Sequence, residues 1–411
     1  MRLIDLKGYI DTLRERNLLL LSLSSLLFGF AFYFLTWYIP IVIMKEYGSF
    51  GLGVLYMVGT VFSVLTVFGG ILADALGYKP LMLVVPLMVL CACLALILKL
   101  SYVSLLAMVI VLHLTPLAGP AIYAYISNSV PSDMLGRAFS AYRAFLLSGI
   151  ALSSLVYGFI TQYLGFRIAL IAISITLVAA TILRVVIREI SPLKEQSIDK
   201  CFTARISNIF RTLITLDSRT LLILFVASFV SGVALAFGPY LYSFLRFVLK
   251  LNVAMLGLYE SVCTVLNALS QVPAGSIIDR FGALHSVALA LSIEILAMSS
   301  ATLFVLKGLV VPCLIAILVW EVVGPMSTTA LNVVLAHESS ESVRGSVYGL
   351  MSSMAALMSL PTYMFFATMW ALNSVMLPAY YALLMAIPLL LCLVRYLKPR
   401  TRSLIVGNHE A

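Results

Sequence analysis

The sequence predicts an all-α integral membrane protein of twelve transmembrane helices, arranged as two six-helix bundles related by pseudo-twofold symmetry. Three observations carry that expectation. The chain is 62% hydrophobic and only 10% charged, with a mean hydropathy of +1.10, whereas soluble domains are about 45–50% apolar and about 25% charged. Twelve apolar runs follow one another, each near the roughly 20 residues that a helix needs to cross a bilayer core. Short motifs then recur, in order, at an offset close to half the chain.

The runs lie near 18–44, 52–74, 80–98, 103–127, 138–163, 168–187, 220–245, 254–278, 285–306, 309–335, 346–372 and 376–395. Most contain Gly or Pro, which spanning helices tolerate when neighbours satisfy the freed backbone groups. The first run is too long for a signal-peptide core, lacks a small-residue cleavage site and follows Asp5, Asp11 and Glu15, so it reads as a retained span. Cys91, Cys93, Cys263, Cys313 and Cys392 fall inside apolar runs and only Cys201 in a polar one. They read as small apolar packers, and neither a disulfide framework nor a metal site is expected.

The formal charge of +9 sits in the connections between runs and therefore does not point to nucleic acid. With the N-terminus placed inside, 19 of the 26 Lys and Arg fall on the inner side, seven of them from Arg184 to Arg219. Lys45, Lys99, Arg167, Arg246, Lys250 and Lys307 fall outside, and Arg143 lies within a run. Basic residues concentrate on the cytoplasmic side, so both termini are expected there, in a multi-pass protein of the cell membrane.

The expected domains are an N-terminal six-helix bundle over 1–187, a central cytoplasmic linker over 188–219, and a C-terminal bundle with a short tail over 220–411. Within the linker Ile206, Ile209, Phe210 and Leu213 recur at helical spacing near Arg205 and Arg211. That pattern suits a helix lying on lipid, or a solvated linker that merely brushes the membrane.

The repeat is specific in its order. Val58–Val61 recurs as Val262–Val265, offset 204; Gly70, Asp74 and Gly77 recur as Gly275, Asp279 and Gly282, offset 205. Gly119-Pro120 recurs at Gly324-Pro325, offset 205, and Gly136–Ser140 is echoed by Gly345–Gly349, offset 209. Two like-oriented copies are what a carrier with two rocking halves requires. These residues resemble the major facilitator superfamily, whose signature between spans 2 and 3 reads roughly Gly-x-x-x-Asp-Arg-x-Gly-Arg-Lys. Gly70, Asp74, Gly77 and Lys79 match it, while Ala75 and Tyr78 depart; the second copy keeps Gly275, Asp279, Arg280 and Gly282. Leu164–Arg167 is similar to that superfamily's turn between spans 5 and 6.

The resemblance implies that the signature groups latch the halves together on the cytoplasmic side, with Asp133, Arg137 and Arg143 as charge partners. Physically, Asp74 at a helix end can receive backbone N–H groups, Lys79 is near enough for an acidic partner, and Gly70 and Gly77 permit a tight turn. The same residues would also serve a loop that only fixes helix ends. The resemblance further implies that spans 1, 4, 7 and 10 line a central cavity.

A charge at mid-membrane costs at least about 2.5–3.5 kcal/mol on insertion scales, so it faces a cavity or a partner. Glu321, Pro325, Thr328 and Asn332 form one stripe on span 10, which makes Glu321 the leading cavity carboxylate. His113 on span 4 lies within about a turn of the repeat equivalent of Glu321, and the two are placed to face each other. A carboxyl taken out of water holds its proton more tightly and histidine titrates near neutrality, so either suits a coupling proton; His113 also suits simple packing. Glu294, on a support helix, is expected to bond a neighbouring helix or Glu321. Glu260 is expected to snorkel outward or pair with Arg246 or Lys250, and Arg143 to join the latch. Tyr33, Trp37, Tyr123 and Tyr242 offer aromatic faces and hydroxyls around the cavity, suiting cationic solutes or sugars, although Trp37 also suits an interfacial anchor.

The function expected is a secondary active transporter of a small organic solute, proton-coupled and monomeric, exporting amphiphilic compounds or importing a metabolite or sugar. Its partners would be lipids, solute and protons, with no cofactor. No GxxxxGK[ST] phosphate loop is present to drive it with ATP. A membrane-embedded transferase would need acids or histidines in long interfacial loops, and the one dense polar cluster, with His337, Glu338 and Glu341, is the repeat counterpart of the span 4–5 loop. A non-transporting sensor descended from a transporter is the third class.

Overall fold

The computed structural model describes residues 15–131, 134–189, 218–338 and 344–397, and these are almost wholly helical. Helix α1 (Arg16–Ser63) breaks at Gly48, whose φ of 68° and ψ of −171° are open mainly to glycine. A 3-10 turn (Val64–Phe68) leads to α2 (Gly69–Leu76), then α3 (Tyr78–Leu98) and α4 (Tyr102–Leu114). Another 3-10 turn (Thr115–Ala118) carries the chain into α5 (Gly119–Ser129), followed by α6 (Leu135–Leu164) and α7 (Phe166–Val186).

The second half runs through α8 (Ser218–Ser243), a π turn (Phe244–Val248), α9 (Val253–Phe281), α10 (Ala283–Leu306) and α11 (Val310–Glu338). It ends with α12 (Arg344–Asn373), a short 3-10 turn and α13 (Leu377–Leu397). Among the described residues ten stretches are long and apolar enough to cross a membrane, and the two longest, Arg16–Thr66 and Leu350–Leu393, contain the breaks at Gly48 and Asn373.

Helix ends follow local chemistry. Ser101 and Ser104 form a reciprocal capping box at the start of α4, and Asn252 accepts from the Met255 N–H at 2.8 Å to start α9. Helices approach closely where glycine removes a side chain. A Cβ on Gly29 would stand 2.8 Å from the Leu146 carbonyl oxygen, seating α1 on α6, and one on Gly232 would stand 2.6 Å from the Ala355 carbonyl oxygen, seating α8 on α12. These pairs are displaced by 203 residues (232 minus 29) and 209 residues (355 minus 146), so the sequence repeat is also a repeat of packing.

The halves meet at the ends remote from Arg16 and Ser218. There the Tyr240 hydroxyl bridges the Ser49 carbonyl at 3.1 Å and the Tyr363 carbonyl at 3.0 Å. Gln162 accepts from the Val253 N–H at 3.0 Å, and a Cβ on Gly257 would sit 2.2 Å from the Ser154 carbonyl oxygen.

One cation of the inner-side count is itself part of the core. Arg184 ends α7 at 2% exposure, with Nε donating to Ser24 Oγ at 2.8 Å, Nη1 donating to the Met82 carbonyl, and the guanidinium 5.1 Å from the Phe28 ring centroid. Those bonds tie α1, α3 and α7 together. Of the expected linker over 188–219, residues 190–217, with the surface-helix pattern, lie outside the described residues.

Candidate functional site

The site is built on α9 and α11. Pro325 lacks the N–H that would bond the carbonyl four residues back, so the Glu321 carbonyl is orphaned within α11. Asn267 of α9 supplies the donor at 3.1 Å, and one turn along Ser270 Oγ donates to the Val322 carbonyl at 3.1 Å. The proline that breaks one helix ladder thereby pins two helices in register behind the Glu321 side chain.

Glu260 lies on the face of α9 that also carries Thr264 and Asn267, at i, i+4 and i+7. It is only 1% exposed, although it stands about 10 Å from the start of α9. Tyr33 of α1 faces it from the first half, Tyr242 of α8 stands beside that tyrosine, and Glu321 is near enough for the two carboxyls to repel when both are charged. Glu260 Oε1 has no hydrogen-bond partner. The expected pairing of Glu260 with Arg246 or Lys250 is therefore corrected. Rotation about the helix axis, rather than depth, sets its direction, and Arg246 donates to the Leu251 carbonyl at 2.7 Å.

On the other side of Glu321 a cavity of about 160 Å³ opens inside the second half. Glu294 of α10 reaches its wall, accepting from the Tyr381 hydroxyl at 2.7 Å through Oε2 while Oε1 is left without a partner. Trp320, Ser327 and Thr328 complete much of the lining, and Asn332 continues the α11 stripe beyond it. The expected contact of Glu294 with a neighbouring helix is thus with α13. Asn267, Trp320 and Tyr381 were not singled out from sequence. The carbonyl orphaned by Pro325 was the available signal for a donor such as Asn267, but nothing local marked Tyr381, 87 residues from its partner.

The first half contributes less. Trp37 is fully buried and donates to Ser154 Oγ at 3.1 Å, so it packs α1 on α6 and leaves the cavity-lining set. His113 Nδ1 donates to the Val109 carbonyl at 2.8 Å, which leaves Nε2 as the acceptor for Thr60 Oγ1 at 3.2 Å in the neutral ring. A Cβ on Gly59 would come within 2.7 Å of His113 Nδ1, so the imidazole fills the groove between α1 and α4. Both its nitrogens are occupied there, and it is seated against α1 rather than opposite Glu321. Tyr123 is exposed, with its ring 5.9 Å from Phe139.

The two signature turns match in backbone. Gly77 has φ 88° and ψ 163°, Gly282 φ 82° and ψ 149°, and Gly165, in the turn between α6 and α7, φ 90° and ψ 158°. Gly275 has open space around it. The Lys79 N–H reaches Glu189 Oε1, three residues beyond the end of α7, at 3.4 Å. Asp279, Arg280 and Arg143 are exposed, and Arg137 lies in the first turn of α6. Gly70 belongs to α2, but the Asp74 and His337 side chains, with Asp133 and Glu341, lie outside the described residues.

The fold has many solved counterparts. A D-xylose–proton symporter superimposes with a TM-score of 0.72 at 17% identity, covering 93% of this chain and 97% of its own. The nucleoside transporter NupG gives 0.73 at 14% identity, covering 94% and 100%. A peptide transporter, POT, in complex with sulfate gives 0.71 at 13% identity, covering 92% and 93%. At such identities the likeness is one of fold. No functionally curated protein is similar in sequence. The sequence profile of the Major Facilitator Superfamily matches residues 21–363, most of the chain, and the protein belongs to that superfamily.

Proposed function

We propose that this protein is a proton-coupled secondary transporter that moves a small organic solute by alternating access, with Glu260 and Glu321 holding the coupling proton. The observation that carries the reading is the approach of Glu321, on the cavity wall, to the buried Glu260, with Tyr33 beside it at the seam between the halves. An isolated carboxylate in a dry interior is costly, so such a pair favours holding a proton while its surroundings stay closed. Tyr33 belongs to the opposite half from both carboxyls, so rocking of the halves changes their surroundings and couples proton release to the opening of the seam. The breaks at Gly48 and Asn373 divide the two longest apolar stretches, giving twelve spans as six plus six. The domains are 1–187 and 220–411, joined by a cytoplasmic linker over 188–219.

Positive charge at the terminal ends supports a cell-membrane protein with both termini in the cytoplasm. Contacts clustered at the remote ends then correspond to the state closed to the outside. The signature turns around Gly77 and Gly282, with Asp74, Lys79, Asp279 and Arg280, form the cytoplasmic latch in the opposite state, and the protein works as a monomer. The named neighbours are a D-xylose–proton symporter, a nucleoside transporter and a peptide transporter, which supports a small polar solute as cargo.

Reconstitution into proteoliposomes with an imposed pH gradient tests the reading. Candidate organic cations, sugars and organic acids should include one that accumulates against its own gradient and stops doing so when a protonophore is added. Accumulation that ignores the protonophore would reject proton coupling.

A further inference from the structure

The cavity behind Glu321 is unusual in which hydrogen-bonding groups it still has to offer. Three of its four hydroxyl protons, those of Ser327, Thr328 and Tyr381, are spent inside the protein. Ser327 Oγ donates to the Gly324 carbonyl at 2.8 Å and Thr328 Oγ1 to the same carbonyl at 3.0 Å. Tyr381 donates to Glu294, and Asn267 Nδ2 to the Glu321 carbonyl at 3.1 Å. Ser327, Thr328 and Tyr381 therefore have lone pairs left to offer, while the unpartnered Trp320 Nε1–H and the Ser231 hydroxyl are the lining's few donors. To those lone pairs are added Glu294 Oε1, which is unpartnered on a side chain only 1% exposed, and the Glu321 carboxyl. No Lys, Arg or His is among the lining residues. The Trp320 and Tyr381 rings, 5.3 Å apart and nearly perpendicular, complete an aromatic corner beside the two acids.

An acceptor-rich chamber discriminates sharply among solutes. An ammonium group brings three donors and no acceptor, so it satisfies lone pairs without leaving any donor unpaired, and it gains from aromatic faces. A carboxylate would meet like charge and few donors. An alcohol brings one donor with two lone pairs of its own, and those would face other lone pairs. We propose that this cavity is the subsite for the ammonium group of an organic amine carried as cargo, held between Glu294 and Glu321 with Thr328 and Tyr381 as further acceptors. This assignment rests on the transporter reading above and names its substrate class.

The test uses the full-length protein in lipid nanodiscs, with n-butylammonium, 1-butanol and butyrate as probes and intrinsic tryptophan fluorescence as the readout. The expected result is a saturable change with butylammonium alone, absent in Trp320→Phe, with its midpoint shifted roughly tenfold or more by Glu294→Gln as a charge-assisted contact is lost. Thr328→Val should shift it by a smaller factor, and it serves as the second variant if Glu294→Gln does not fold. Equal responses to butanol and butylammonium, or midpoints that do not move in the folded variants, would overturn the proposal. Proton-driven accumulation is measured on the same preparation in vesicles. Cation binding without proton coupling defeats only the coupling reading, and proton-driven uptake of uncharged solutes without cation binding defeats only this one.

Discussion

The two halves share a packing plan and differ in the charge they bury. The first half encloses Arg184, and its Nε and Nη1 both find acceptors at Ser24 and Met82, above the face of Phe28. The second half encloses Glu260 and Glu294, each with one oxygen unpartnered, and Glu321 beside them. A buried charge whose bonds are satisfied locally is structural glue, because moving it would strand every partner at once. A buried carboxyl with an open lone pair is available to a proton or a solute. Under the proposed function, the first half's charge is scaffolding and the second half's carboxyls carry the chemistry.

Glutamine at 321 tests that contrast at its largest expected effect. Glu321→Gln should abolish solute accumulation driven by a pH gradient while leaving solute exchange across the bilayer intact, since the amide fills the same space but carries no titratable proton. Unchanged pH-driven uptake would reject Glu321 as the carrier. Arg184→Ala should act the other way round. It leaves a cavity and an orphaned Met82 carbonyl, for a loss of roughly 3 kcal/mol or more in stability. A lowered melting temperature with unchanged proton coupling in the surviving protein is the expected outcome, and lost coupling in a protein of normal stability would overturn the division of roles.

How much of this could be read from the sequence depends on the range of the interaction that decides it. The spans and the repeat were legible because hydropathy and glycine spacing are local patterns. Gly77 and Gly282 adopt matching backbone angles because the same short-range steric rule acts twice. Glu321 was legible too, as its i, i+4, i+7 stripe is a property of one helix. Glu260 was misread because depth along α9 is visible in sequence and rotation toward Tyr33 is not. Trp37 was misread, and the burial of Arg184 was not foreseen, for a related reason. The partners that hold them, Ser154 and Ser24, lie 117 and 160 residues away, and no periodicity signals a contact of that span.

The seam between halves offers a middle-sized effect. Gly257 of α9 meets the Ser154 carbonyl and Gly158 of α6, where an added Cβ has no room. Gly257→Val should cost about 2 kcal/mol through overpacking. It should cost this only where α6 and α9 are in contact, so the population shifts toward the state with the remote ends apart. Cysteine labelling at Gln162, in Gln162→Cys proteins with and without the second change, reads that shift as faster modification. An unchanged rate would mean that this contact does not hold the seam closed.

The smallest effect compares the signature turns themselves. At φ near 85° with extended ψ, a side chain is strained wherever it is placed, and the expected loss for alanine is about 1–2 kcal/mol at either glycine. The surroundings differ, however. A Cβ on Gly77 would lie 3.0 Å from Glu189 Oε1, whereas one on Gly282 meets nothing closer than His285 Nδ1 at 3.8 Å. Because the Glu189 carboxyl is the far end of a flexible side chain, it can withdraw, at the expense of its 3.4 Å contact with the Lys79 N–H. Gly77→Ala should therefore destabilise only a few tenths of a kcal/mol more than Gly282→Ala, and Glu189→Ala should erase that difference. Equal losses before and after removal of Glu189 would make the two turns energetically interchangeable, leaving buried charge as the feature that distinguishes the halves.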